Sequence, residues 1–180
     1  GLYEGLDESY LDYRLKQTAY LGEMIRSNGM PIIEPPGGHA IYLDAGATFP
    51  HIPQNEYPGQ ALTAALYLEG GIRGTEIGSV MFAHKDPESK KLVYPKLELV
   101  RLALPRRVYT QSHLDYVIDT LRSIWKKRGS YKGYRIVYES EFLRHFTARF
   151  HGYASWARMK MNEGHGPERR TDLVKIVEVG

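Results

Sequence analysis

The sequence predicts an α/β domain in which helices cover a small, mostly antiparallel sheet. Stretches with apolar residues at helical spacing alternate along the chain with short runs rich in β-branched and aromatic residues, which is typical of a mixed fold. The chain has 180 residues, which allows one domain of ordinary size, and 42% of them are hydrophobic, which allows a packed core. We expect two helices to cover one face of the sheet.

Three helices are predicted from apolar spacing and from the residues at their ends. The first covers residues 9–27, the second covers residues 60–69, and the third begins at Thr110 or Ser112. An Asn-Gly pair ends the first helix and a Gly-Gly pair ends the second. The apolar stripe of the first helix consists of Leu11, Leu15, Thr18, Leu21 and Ile25. The buried face of the third helix consists of Leu114, Val117, Ile118, Leu121, Ile124 and Trp125.

Strand-like runs lie between and after these helices. The most apolar run covers residues 97–104, and we expect it to be a central strand even though Arg101 lies inside it. The last patterned stretch covers residues 142–150. We therefore expect one domain of residues 1–150, followed by a polar tail of residues 151–180 without an assigned role. The other predicted strands cover residues 30–33, 39–44 and 134–138, with a strand or strand pair within 72–83.

Composition excludes several classes of function. The chain has no cysteine, which excludes disulfides, thiolate metal sites and a cysteine nucleophile. The net charge of +3 is scattered along the chain, which argues against a nucleic-acid surface. No apolar run approaches the roughly 20 residues of a membrane span, and no pair of histidines has the spacing of a zinc site. We therefore expect a cytoplasmic protein with no metal site, no membrane contact and no nucleic-acid partner.

Arg101 is the first candidate functional residue, because a permanently charged guanidinium inside an apolar strand needs a reason. It could bind a substrate carboxylate through two parallel hydrogen bonds. It could also form an internal salt bridge to a glutamate, or lie at an edge position with its head group in water. The pattern of residues leaves these alternatives open.

His145 is the second candidate and lies in a stretch rich in phenylalanine. It could carry a proton in a pocket, or it could be packed and hydrogen-bonded to the backbone. His39 presents the same choice, and a position at a strand edge is the simpler interpretation. Ser89-Lys90-Lys91 looks like the segment around a Schiff-base lysine, but the charged loop that surrounds it would keep the lysine solvated and unreactive.

Six stretches of the chain match one enzyme family in the same order. They are GGHAIYLDAG (37–46), PHIP (50–53), PGQAL (58–62), GIRGTEIGS (71–79), KLELVRLALPRRVYTQSHLD (96–115) and FLRHFTARF (142–150). From Tyr10 to Phe150 the chain resembles the C-terminal part of the aromatic amino-acid β-eliminating lyases, the family of tryptophanase and tyrosine phenol-lyase. The resemblance implies the small C-terminal domain of the aspartate-aminotransferase-like pyridoxal-phosphate fold.

Two positions resemble tryptophanases more than phenol-lyases. Ile77 stands where phenol-lyases have an arginine, and His145-Phe146 stands where they have two phenylalanines. Thr75 departs from the bulkier apolar residue that is usual in bacterial tryptophanases. The resemblance implies that Arg101 binds the substrate α-carboxylate and that His145 has a catalytic role near the indole. It also implies that Thr75, Ile77 and Phe146 shape the side-chain pocket.

The resemblance further implies β-elimination of L-tryptophan to indole, pyruvate and ammonia with pyridoxal 5'-phosphate. In this family the cofactor lysine, the phosphate cradle and the ligands of a monovalent cation such as potassium belong to the N-terminal portion. We therefore expect this chain alone to be inactive, and the complete protein to be a homo-oligomer, a tetramer by resemblance. Two alternatives remain, which are elimination of the tyrosine phenol-lyase type and a non-catalytic shortened relative that serves oligomerisation or regulation.

Overall fold

A computed structural model of the chain describes residues 3–153, so the predicted tail lies outside the described residues from 154 onward. The helices are α1 (Glu8–Ser27), α2 (Ala45–Thr48), α3 (Pro58–Gly70), α4 (Ser79–Phe82), α5 (Gln111–Lys127) and α6 (Arg144–Thr147). The strands are β1 (Ala40–Asp44), β2 (Thr75–Ile77), β3 (His84–Lys85), β4 (Leu92–Val93), β5 (Leu99–Ala103), β6 (Tyr134–Tyr138) and β7 (Arg149–Gly152).

The three long helices, α1, α3 and α5, confirm the three helices predicted from the sequence. The N-cap Asp7 begins α1, because its Oδ1 accepts a hydrogen bond from the Tyr10 N–H at 3.1 Å. Thr110 begins α5 in a capping box with His113. Gly71 ends α3 with a φ of 63°, a left-handed conformation that glycine adopts without strain.

The main sheet has three antiparallel strands in the order β1-β5-β2, so the apolar run around Arg101 is the central strand, as predicted. Arg101 lies opposite Tyr42 on β1 and opposite Thr75 on β2. Direct partners in antiparallel strands point to the same face, and successive residues alternate between faces. One face therefore carries Arg101, and the opposite face carries the buried apolar residues Val100 and Leu102.

Three helices, and not the two that we expected, pack into one core against the buried face of the sheet. The core combines α1, α3 and α5 with the sheet. Helices α1 and α5 each bury one side, whereas α3 is buried on all sides over residues 58–66. The predicted stripe of α1 is buried only from Thr18 onward, since Leu11 and Leu15 are exposed. The residues that form this core from the helices are Leu21, Ile25, Ala61, Leu62, Ala65, Leu66, Leu114, Ile118, Leu121 and Ile124.

Two strand predictions are wrong in part. Residues 30–33 form only one bridge, between Ile32 and Leu43, because Pro31 has no N–H to extend a ladder. Within 72–83 only β2 is extended in the main sheet, and the chain then turns into the short helix α4. The turn follows from buried carboxylates that capture the backbone N–H groups of residues 79–81.

Two small hairpins complete the described part of the chain. Strands β3 and β4 flank the predicted charged loop, and β6 pairs with β7 in antiparallel fashion. The base of the second hairpin is held by Phe150, whose ring packs edge-on against Tyr57 and Tyr134. Within residues 3–153, no helix is both long and apolar enough to cross a membrane.

Candidate active site

The face of the main sheet opposite the core brings three predicted site residues together. Thr75 lies directly opposite Arg101 across the β2–β5 pair, and Ile77 lies opposite Leu99. Because Leu99 and Arg101 are two residues apart on one strand, all of these side chains share one face. The sheet thus places a guanidinium beside a hydroxyl and an apolar side chain.

The guanidinium of Arg101 is partly buried, and its Nε has no hydrogen-bond partner. In the described part of the chain, no ion pair involves the Arg101 side chain. The internal salt bridge, which is one of the alternatives for Arg101 in the sequence, is therefore absent there. The edge-strand alternative also fails, because β5 is the central strand. A buried donor without a partner costs about 1–3 kcal/mol, and more for a charged group. The Nε of Arg101 is therefore a buried donor that no described residue satisfies.

Two buried glutamates, which sequence reasoning missed, support the chain directly after Ile77. Glu98 accepts hydrogen bonds from the Ser79 N–H at 3.1 Å and from the Ser79 hydroxyl. Glu76 accepts hydrogen bonds from the N–H groups of residues 80 and 81 at 3.1 Å and 3.2 Å. Gly78 leaves room for both carboxyl groups, since a Cβ there would lie 2.4 Å from Glu98 Oε2 and 2.7 Å from Glu76 Oε1.

The carboxyl of Glu76 has an unusual protonation equilibrium. Burial raises the pKa of Glu76 to about 7, and the nearby charge of Glu98 acts in the same direction. Hydrogen bonds from backbone N–H groups partly oppose this effect by favouring the charged form. A signal for these residues was present in the sequence, because each glutamate interrupts a stretch of small or apolar residues in GTEIGS or LELVRL.

His145 and Phe146 lie at the tip of the β6–β7 hairpin, in the one-turn helix α6. The two rings contact each other, with centroids 4.1 Å apart. Phe146 is 63% exposed and His145 is partly buried. In the described part of the chain no hydrogen bond involves the His145 ring, so the backbone-satisfied histidine considered above is not what the structure shows there.

The structure joins the hairpin tip to the sheet indirectly. Arg144 donates hydrogen bonds from Nε to the Val80 carbonyl at 2.9 Å and from Nη2 to the Ser79 carbonyl at 2.8 Å. These acceptors belong to α4, which follows β2 in the chain. Among residues 3–153, no hydrogen bond, ion pair or ring contact joins His145 or Phe146 to Arg101, Thr75 or Ile77.

The remaining candidates lie at the surface. His39 is exposed just before β1, and Lys90 is exposed in the loop between β3 and β4. No group of three or more histidine or acidic side chains in the described residues is arranged to hold a metal ion. These positions offer neither a desolvated nucleophile nor a ligand cage.

Residues 5–120 match the sequence model of the family described as beta-eliminating lyase. The chain belongs to the beta-eliminating lyase family. It is 50% identical over 150 residues to the tyrosine phenol-lyase of Symbiobacterium thermophilum, which covers 83% of this chain and 32% of that protein. It is 53% identical over 148 residues to the tryptophanase of Salinibacter ruber, which covers 82% of this chain and 31% of that protein. Tryptophanase of Hyphomonas neptunium is 52% identical over 150 residues, with 83% of this chain and 33% of that protein covered.

The chain therefore spans about a third of the length of these relatives. Relatives with both names are similar to this beta-eliminating lyase chain to nearly the same degree, so identity alone does not separate the two substrates. The family is in general dependent on pyridoxal phosphate. A Schiff-base lysine needs a desolvated or electropositive site, whereas every lysine within residues 3–153 is exposed. None of the lysines in the described residues therefore lies in a site of that kind.

Proposed function

We propose that this chain is the C-terminal portion of a lyase that cleaves L-tryptophan to indole, pyruvate and ammonia. The main support for the proposal is Arg101, whose partly buried guanidinium lies on the central strand and whose Nε has no hydrogen-bond partner. A substrate carboxylate would supply the missing acceptor. The other portion of the longer protein would hold pyridoxal phosphate, which supplies the electron sink of the reaction.

Arg101 would bind and orient the α-carboxylate of the amino acid. A guanidinium presents a planar fork of donors that matches the two oxygens of a carboxylate. Its neighbours across the sheet, Tyr42 and Thr75, hold the strand in register on both sides. Holding the carboxylate on a central strand restricts the rotation of the substrate, which is how an enzyme selects the bond that reacts.

The aromatic side chain of the substrate would lie against Ile77, Phe146 and Thr75, with His145 near the ring. Indole is largely apolar, so an isoleucine wall suits it, whereas a phenol hydroxyl favours a charged donor. His145 would hold or move a proton at the indole ring. We place His145 in the catalytic role and the other three residues in the pocket wall.

The oligomeric state and the cation also belong to the proposal. The longer protein would be a homo-oligomer, a tetramer by resemblance, with a monovalent cation such as potassium bound outside this chain.

Elimination from tyrosine is the second candidate reaction, and it is supported by relatives named tyrosine phenol-lyase at 50% identity. Measuring kcat/KM for tryptophan and for tyrosine with the full-length wild-type protein separates the two candidate reactions. We expect tryptophan to be preferred.

The Arg101→Lys variant of the full-length protein tests the proposal. We expect kcat/KM for tryptophan to fall roughly 100-fold or more, because a point charge does not reproduce the two parallel hydrogen bonds. Arg73→Lys is the matched control, since Arg73 is exposed just before β2, and it should leave kcat/KM unchanged. Equal kinetics in wild type and Arg101→Lys would contradict the assignment of Arg101.

A further inference from the structure

The one-turn helix α4 is held at both ends by ionisable side chains, of which Glu98 and Arg144 are distant from it in sequence. At its N-terminal end, Glu76 and Glu98 accept hydrogen bonds from the N–H groups of residues 79–81. At its C-terminal end, Arg144 donates to the carbonyls of Ser79, Val80 and Ala83. Helix ends leave N–H groups and carbonyls without intrahelical partners. Here the two glutamates accept from such N–H groups, and Arg144 donates to carbonyls at the other end, although the Ser79 carbonyl also accepts from the Ala83 N–H at 3.1 Å.

Arg144 makes this connection across a large separation in sequence. Its three carbonyl partners lie 61 to 65 residues earlier in the chain. A fourth contact, from Nη1 to Glu139 Oε2 at 3.6 Å, stays within the hairpin tip. The Arg144 side chain is only 18% exposed. Arg144 is therefore directed into the protein, although it lies in a hairpin tip that is otherwise largely exposed.

The rest of the hairpin tip has weak attachments within the described residues. Phe142, Leu143 and Phe146 are exposed, and the His145 ring makes no hydrogen bond there. Hydrogen bonds of the tip other than those of Arg144 close the turn on itself, such as the bond from the Phe146 N–H to the Leu143 carbonyl at 2.9 Å. The guanidinium of Arg144 is thus the polar link between the tip and the segment that follows Ile77.

We propose that Arg144 is a positioning residue that sets the distance between the His145-Phe146 pair and the wall formed by Thr75 and Ile77. It acts through α4 and touches no substrate. This proposal rests on the proposed function, because that distance affects catalysis only if both groups line one substrate pocket. A lysine at 144 would keep the charge but would lose the fork that spans three carbonyls.

Amide hydrogen exchange of the chain itself tests the positioning without any assay of activity. The informative amides are those of Phe146 and Ala148, which donate to carbonyls within the tip at 2.9 Å and 2.8 Å. In Arg144→Lys we expect these amides to exchange about tenfold faster or more, while the amides of β5 keep their rates. Arg149→Lys is the matched control, because Arg149 lies in the same hairpin but is exposed, over the Tyr138 ring. Unchanged exchange in Arg144→Lys, or faster exchange throughout the core, would overturn the proposal.

Kinetics of the full-length protein test the consequence for substrate choice. In Arg144→Lys we expect kcat/KM for tryptophan to fall about tenfold more than kcat/KM for an S-alkyl cysteine, whose leaving group needs no ring protonation. Parallel losses on both substrates would overturn the positioning role and leave a structural one. If the wild-type protein does not cleave tryptophan, the proposed function fails, while the exchange result still decides whether Arg144 positions the tip.

Discussion

The open face of the main sheet and the tip of the β6–β7 hairpin, which the proposed function assigns to one site, differ in how extensively the rest of the chain packs against them. Arg101 lies on a central strand with backbone partners on both sides, above a fully buried core. His145 and Phe146 lie on a one-turn helix at an exposed hairpin tip. In the proposed function the α-carboxylate, which all amino-acid substrates share, would bind at the main sheet. The side chain, which differs between substrates, would lie against the hairpin tip. This division suggests how related enzymes can change their aromatic substrate without rebuilding the carboxylate site.

A matched pair of leucine substitutions should show the largest difference between the two regions. Leu43 is fully buried in β1, and Leu143 is 62% exposed at the hairpin tip. We expect Leu43→Ala to lower the free energy of unfolding by about 2–5 kcal/mol. Leu143→Ala should change it by less than about 0.5 kcal/mol. Denaturant unfolding of the chain measures both values, and similar losses would show that the tip is as firmly packed as the sheet.

Gly78 tests the junction between the two regions. A methyl group at this position would collide with the carboxylates of Glu98 and Glu76. We expect Gly78→Ala to lower the free energy of unfolding by about 1–3 kcal/mol. Gly37→Ala is the control, because a Cβ at Gly37 meets nothing within 4 Å. If Gly78→Ala were as stable as the control, the side chains of Glu76 and Glu98 would be able to move away from the methyl group at little cost.

The pH dependence of stability should report on Glu76. Because burial raises the pKa of Glu76 to about 7, the folded state binds this proton more tightly than the unfolded state does. The contribution of Glu76 to stability is therefore fully present below its ordinary pKa and is lost as pH rises to about 7.

We expect the free energy of unfolding of wild type, relative to Glu76→Gln, to fall by roughly 2–3 kcal/mol between about pH 5 and about pH 8. Chemical unfolding at several pH values measures this difference. Glu23→Gln, at an exposed position of α1, should show no such trend. A flat difference for Glu76→Gln would contradict a raised pKa.

The hairpin tip should affect the choice of substrate more than it affects stability. His145→Phe creates the pair of phenylalanines that the resemblance assigns to phenol-lyases at this position. In the full-length protein we expect kcat/KM for tryptophan to fall about tenfold relative to kcat/KM for an S-alkyl cysteine, because a proton at the indole ring is no longer held. Equal losses on both substrates would remove His145 from the site.

The sequence was sufficient for the elements whose signals are local. Apolar spacing predicted the three long helices, and the apolar run around Arg101 predicted a central strand. The short helix α4 was missed because its first N–H group donates to Glu98, which lies 19 residues later in the chain, and because the Arg144 side chain binds its carbonyls from 64 residues away. Tertiary hydrogen bonds of this kind override the local preference of a segment.

The residues of the candidate site also differ in whether their role can be predicted from local sequence. Arg101 stood out in the sequence, since a charge within an apolar strand is visible without a structure. That Thr75 and Ile77 share its face required the register of β2 against β5. Arg144 was not singled out, because its role depends on carbonyls 61 to 65 residues away. A single sequence carries no record of such a pairing.

The assignment of Arg101 to the substrate carboxylate is best tested by changing Arg101 and the substrate together. The measurement is kcat/KM of full-length wild type and Arg101→Gln for L-tryptophan and for L-tryptophanamide, which lacks the carboxylate charge. We expect wild type to prefer the carboxylate by about 100-fold or more, and the variant to lose most of this preference. The same preference in both proteins would show that the carboxylate binds elsewhere.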